Sequence, residues 1–146
     1  MAVMDDPYRL ERFVSAQNSG HGYDAVLAEL HAGEKVSHWM WYVFPQVQGL
    51  GSSAMAQQYA VSSGDEARAY LAHPVLRARL LAAVDALLGV EGRSITRILG
   101  PVDAMKLRSS MTLFAAADPD EPAFRQILDK YFHGQTDDRT VALLGM

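Results

Sequence analysis

Trp39-Met40-Trp41-Tyr42-Val43-Phe44, followed by Pro45, is the stretch on which the fold class turns. By periodicity alone, an unbroken apolar run of this length fits a buried strand or a buried helix. A strand needs a partner, and no other part of the chain shows apolar–polar alternation bounded by a hairpin turn. The run is therefore predicted to begin as helix, to be mostly buried, and to break before Pro45. Proline lacks a backbone N–H and disfavours helical geometry in the residue before it, Phe44.

Outward from this run the pattern is helical. Upstream, Asp6-Pro7 reads as an N-cap and first helical residue, with Leu10, Phe13 and Val14 on one stripe that ends at Asn18-Ser19-Gly20. Tyr23, Val26, Leu27 and Leu30 mark a second helix stopping near Gly33. Downstream, Ser52-Ser53 open a short helix towards Tyr59, and Ser63 precedes another. Pro74 starts a long helix ending at Gly89, Ser94 caps Ile95–Leu99, and Pro101 opens a helix through Phe114. Asp120 with Pro122 starts the next, stopped by Gly134, and Asp137 caps a last turn. The expectation is an all-α, compact single-domain bundle of about eight or nine helices over residues 1–146, with residues 1–5 as a flexible tail.

Composition narrows the function classes. A chain of 146 residues and 16.0 kDa has the commonest size for one domain. Its 49% hydrophobic and 21% charged residues match a packed globule and not a disordered chain. No run approaches the ~18 apolar residues of a membrane span, so no membrane association is expected. Asp5 and Asp6 stand where a secretory signal would be basic and apolar, which points to a cytoplasmic protein. Zero cysteines remove disulfides, thiolate metal sites and cysteine nucleophiles. The histidines, at positions 21, 31, 38, 73 and 133, show no metal-ligand spacing, so no metal or cofactor is expected. Arg68, Arg77, Arg79, Arg93, Arg97, Lys106 and Arg108 give a local positive excess, but the net charge is −4 and no helix has a dense basic face. Nucleic-acid binding is not expected.

Several segments are specific enough to carry a family resemblance. Lys35-Val36-Ser37-His38-Trp39-Met40-Trp41-Tyr42-Val43-Phe44-Pro45-Gln46 resembles the signature of the bacterial and fungal domain-of-unknown-function 1810 family. Gly49-Leu50-Gly51-Ser52-Ser53, Tyr70 to Leu80 and Asp103 to Phe114 match in order, over roughly residues 5–135. The chain looks like the actinobacterial, mycobacterial-type members. The resemblance implies a compact, mainly helical domain and no assigned activity. Some members carry the label calpastatin, a disordered inhibitor that this packed composition does not resemble.

Two stretches can carry chemistry. On the helix from Pro101, at 100° per residue from Asp103, Lys106 lies near roughly 300° and Ser110 near roughly 340°. Apolar Leu107, Leu113 and Phe114 flank this polar stripe, and the solvent face is expected around Arg108, Ser109 and Thr112. Asp103, Lys106 and Ser110 are thus predicted to point inward, with Lys106 largely buried beside Asp103 and facing a pocket walled by Trp39 or Trp41. Such a pair either locks packing or lines a site for an anion. The second stretch holds four of the chain's thirteen aromatic residues, Trp39, Trp41, Tyr42 and Phe44, flanked by Lys35 and His38. These are core, or in part a stacking wall with a histidine acid, base or donor beside it. Gly49 to Ser53 is a glycine turn with a serine cap, or a loop whose N–H groups converge on an anion.

Two functions remain open. One is a non-enzymatic interaction or regulatory module. The other is a binder or enzyme for an anionic, phosphate- or nucleotide-like small molecule, using Lys35, His38, Trp39, Trp41, Gln46, Ser52, Asp103, Lys106 and Ser110. If these residues converge on one concave pocket the second gains; if they spread over separate faces it fails.

Overall fold

The computed structural model describes residues 6–20 and 22–145. The expected tail over residues 1–5 lies outside the described residues. Ten helices are present among the described residues: α1 (Glu11–Asn18), α2 (Gly22–Ala32), α3 (Met40–Val43), α4 (Ala54–Gln58), α5 (Gly64–Ala72), α6 (Pro74–Leu88), α7 (Ile95–Leu99), α8 (Pro101–Ala117), α9 (Pro122–Phe132) and α10 (Asp138–Leu143). The all-α class holds, with one helix more than expected because four-to-six-residue turns count as elements. The one extended pairing among the described residues is an isolated parallel bridge between Val47 and Val61.

Local chemistry explains most boundaries. Side chains of Ser53, Ser63, His73, Ser94 and Asp137 each accept from a backbone N–H in the first turn of the helix they precede. Gly100 adopts φ 89°, which lets α7 turn directly into Pro101 of α8. Two expectations shift. Asp6 does cap, accepting from Leu10 N at 2.7 Å and Glu11 N at 3.1 Å, but it closes a turn and α1 starts only at Glu11. Arg9 in that turn has φ 53°, which no continuous right-handed helix from Pro7 allows. The cap of α9 is Glu121, not Asp120.

The run that decided the class behaves as expected. Trp39, Met40, Val43 and Phe44 are buried, α3 spans Met40–Val43, and Phe44 leaves helical geometry at φ −124°, ψ 72°.

An aromatic chain runs through the core. Phe13 of α1 meets Tyr70 of α5 edge-on at 5.1 Å, Tyr70 meets Phe114 of α8 at 5.2 Å, and Phe114 meets Phe124 of α9 at 5.7 Å. All four are fully buried. Helix α8 is the hub, packed by α5, α7, α9 and α10. Its expected wet face is therefore corrected. Ser109 and Thr112 are buried, Thr112 accepting from Asp137 N at 2.9 Å, and the exposed positions are Pro101, Val102 and Met105 in the first turns. A wheel argument assumes one solvated face along the whole helix, which α8 lacks beyond its first turns because neighbours enclose it there.

Candidate functional site

The loop between α2 and α3 delivers the aromatic segment to the start of α8. Lys35 N donates to Ile98 O at 2.8 Å, fixing this loop against the end of α7. Glu29 of α2 organises the residues just beyond: its Oε1 accepts from Val36 N at 2.6 Å, Ser37 N at 2.9 Å and Trp39 Nε1 at 3.1 Å. Burial pushes the Glu29 pKa up, but these donors together outweigh it and hold the carboxyl below its ordinary 4.5. A depressed folded pKa gives stability that is present above the unfolded value and lost as pH falls through the folded one. Replacing Glu29 by glutamine should therefore lower stability at pH 7, and its deficit against the parent should shrink as pH drops below about 4.5. Urea midpoints measured from pH 7 to pH 3 check this, and a constant deficit would contradict it.

From that loop the Lys35 side chain turns inward. Its Nζ lies 2.9 Å from Asp103 Oδ2, and the side chain is 7% exposed. Lys106, one turn along α8, approaches Asp103 Oδ1 at 3.7 Å with 25% of its side chain exposed. Each ammonium also stands over an indole, Lys35 at 5.1 Å from Trp39 and Lys106 at 5.3 Å from Trp41. One carboxylate thus serves two ammoniums, leaving a net charge of +1 at the first turn of α8. Lys106 is near Asp103 and an indole as expected, but it is half-buried rather than largely buried, and the more deeply buried lysine is Lys35, which no periodicity marks as inward-facing.

Trp41 walls a cleft of about 270 Å³ that Gln46, Gln48, Gln57 and Tyr59 also line. The remaining sequence-predicted residues do not join it. His38 is exposed and borders a separate cavity of about 180 Å³ with Gln17, Glu29 and Tyr42. Ser52 is exposed beyond the cleft wall, its carbonyl accepting from Gln57 Nε2 at 3.0 Å. Ser110 is fully buried in the core, and its hydroxyl has no partner among the described residues. Five of the nine residues (Lys35, Trp39, Trp41, Asp103, Lys106) form one cluster, Gln46 adjoins it through the Trp41 cleft, and the other three lie apart. Among the described residues no group of His, Asp and Glu could hold a metal ion, and no helix is long and apolar enough to cross a membrane.

Sequence reasoning missed Glu29, and it missed Gln48, Gln57 and Tyr59 of the cleft. A glutamate on α2, a glutamine in a loop and another on α4 carry no spacing signal; only their three-dimensional convergence marks them.

The profile of the family described as "Protein of unknown function (DUF1810)" matches residues 7–144. A solved structure that is similar is the conserved hypothetical protein Rv1873 from Mycobacterium tuberculosis, at 51% identity. The match covers 97% of this chain and 99% of that one, with a TM-score of 0.93. Comparison with curated proteins gave no match.

Proposed function

The chain belongs to the DUF1810 family of proteins of unknown function, and from that premise we propose that it works as a non-enzymatic interaction module. The observation that supports this is the exposed apolar side chains next in sequence to the ion cluster. Val36, Val102 and Met105, 73%, 66% and 69% exposed, are three of the five large apolar side chains that stand in solvent among the described residues. Each is adjacent in sequence to Lys35, Asp103 or Lys106. On α8, residues 102, 105 and 106 share one face by their i, i+3, i+4 spacing. Apolar groups grouped beside an unbalanced charge mark a contact surface, whereas scattered ones do not. Arg97, exposed in the last turn of α7, adds positive charge without an acidic partner among the described residues. The partner this chemistry suits is a protein segment carrying carboxylates beside apolar side chains.

The lysines themselves argue against catalysis. Both ammoniums are engaged by Asp103 and by an indole face, which is a holding arrangement and not that of a free nucleophile. A second reading, an anionic small molecule, is favoured by the position of Lys106 over Trp41.

Methyl spectra of Val36, Val102 and Met105 test both. A peptide of alternating glutamate and leucine should shift these methyls saturably, its lysine–leucine counterpart should not, and Met105→Asp should abolish the effect. Shifts scattered over other faces, or none, would contradict the module. A response to inorganic phosphate in place of the peptide would move the assignment to the second reading.

A further inference from the structure

We propose that the cleft beside Trp41 binds an uncharged planar heterocycle of the nucleobase class, recognised by glutamine amides. The cleft shares Trp41 with the ion cluster, but none of Val36, Val102 or Met105 lines it.

Its chemistry is uniform. Trp41 and Tyr59 contribute aromatic surface, and Gln46, Gln48 and Gln57 contribute amides. Among the described residues, no carboxylate, ammonium, guanidinium or imidazole lines the cleft. An ionic ligand would lose water there without a charged group in the lining itself to meet it. A carboxamide presents a donor and an acceptor side by side, which matches the adjoining N–H and ring-nitrogen or carbonyl groups on a base edge. Aromatic faces supply the stacking that every base accepts. The volume, about 270 Å³, is near the lower end of ligand pockets and suits one ring system with its substituent.

The backbone that carries these groups is fixed. Gln48 N donates to Val61 O at 2.8 Å and Val61 N donates to Gln46 O at 2.9 Å, clamping the backbone on both sides of Val47. The side-chain amides of Gln46 and Gln48 have no hydrogen-bond partner among the described residues. The Gln57 amide nitrogen is tied to Ser52 O, which leaves its oxygen free to accept. The loop can lie against α4 because residue 51 is glycine: a Cβ there would stand 2.5 Å from the Ala56 Cβ. The backbone is fixed, so a ligand would have only the glutamine side chains to order on entry.

The chain has two tryptophans, so Trp39→Phe leaves Trp41 as the sole indole reporter at the cleft. Adenosine, guanosine, cytidine and uridine are titrated against its fluorescence, with glucose and the nucleoside monophosphates as further arms. Calorimetry on the parent chain repeats each titration, so that a fault introduced by Trp39→Phe cannot decide the outcome. The expected result is saturable binding of at least one nucleoside, none of glucose, and no tighter binding of the monophosphate. Gln46→Ala and Gln57→Ala should each raise the Kd by about tenfold, and Gln57 is exposed enough for its variant to fold normally. Four results would overturn the proposal: no saturation with any nucleoside, equal binding of glucose, monophosphates bound more tightly than nucleosides, or affinity untouched by both glutamine substitutions.

Discussion

Replacing Asp103 by alanine is expected to cost about 3–5 kcal/mol of folding stability, and replacing Lys106 by methionine less than about 1 kcal/mol. The asymmetry comes from burial. Asp103 Oδ2 is the carboxylate oxygen at 2.9 Å from the Lys35 ammonium, whose side chain is 7% exposed. Without it, Lys35 keeps the face of Trp39 and no counter-ion, so the charge is stranded away from water. Losing Lys106 is different. Its side chain is one-quarter exposed and 3.7 Å from Asp103, and Asp103 would keep Lys35. Urea denaturation of the two variants reads the difference. Equal losses, or a greater loss in Lys106→Met, would contradict this division of roles.

A comparable loss, about 3–5 kcal/mol, is expected for Arg12→Ala. Glu66 of α5 has a side chain 4% exposed and an Oε2 3.0 Å from the Arg12 guanidinium, while its Oε1 accepts from Ser62 N and Ser62 Oγ. The same guanidinium donates to Gln58 O at 3.0 Å and Ala60 O at 2.9 Å. Arg12 thus ties α1 to α5 and to the segment leading out of α4. Removing it strands a buried carboxylate and releases four carbonyls together, those of Tyr8, Arg9, Gln58 and Ala60. Arg12→Lys should recover only part of the loss, because an ammonium cannot span these acceptors as a planar fork does. Urea denaturation measures the loss, and faster amide exchange over residues 58–62 should accompany it. A loss under about 1 kcal/mol would show that Glu66 finds water instead.

The helices were legible where a residue does one local job. Ser53, Ser63 and Ser94 cap, Pro74 and Pro101 start, and Gly100 breaks, and none of these needs a distant partner. The faces of α8 were not legible, because which sides are wet depends on α5, α7, α9 and α10 arriving around it. The candidate site divides in the same way. Asp103 and Lys106 are one turn apart on a helix, and their proximity follows from spacing. Lys35 sits in a loop with no periodicity, and its ion pair closes with a residue far along the chain. Arg12 and Glu66 are 54 apart, and no short-range pattern announces them. His38 and Ser110 were grouped with the site on angular or sequence proximity. Yet the backbone turn before α3 leaves His38 exposed beside a different cavity, and Ser110 lies within the core.

That Asp103 is a structural ion for Lys35, and not a group held ready to react, is tested most directly by a double-mutant cycle in urea on Lys35→Met, Asp103→Leu and the pair together. The double variant should be more stable than Asp103→Leu alone, with a coupling of at least about 2 kcal/mol, because removing both charges leaves none stranded. Losses that simply add would mean that the two side chains act independently, and the charged centre would then no longer be the framework of the surface formed by Val36, Val102 and Met105.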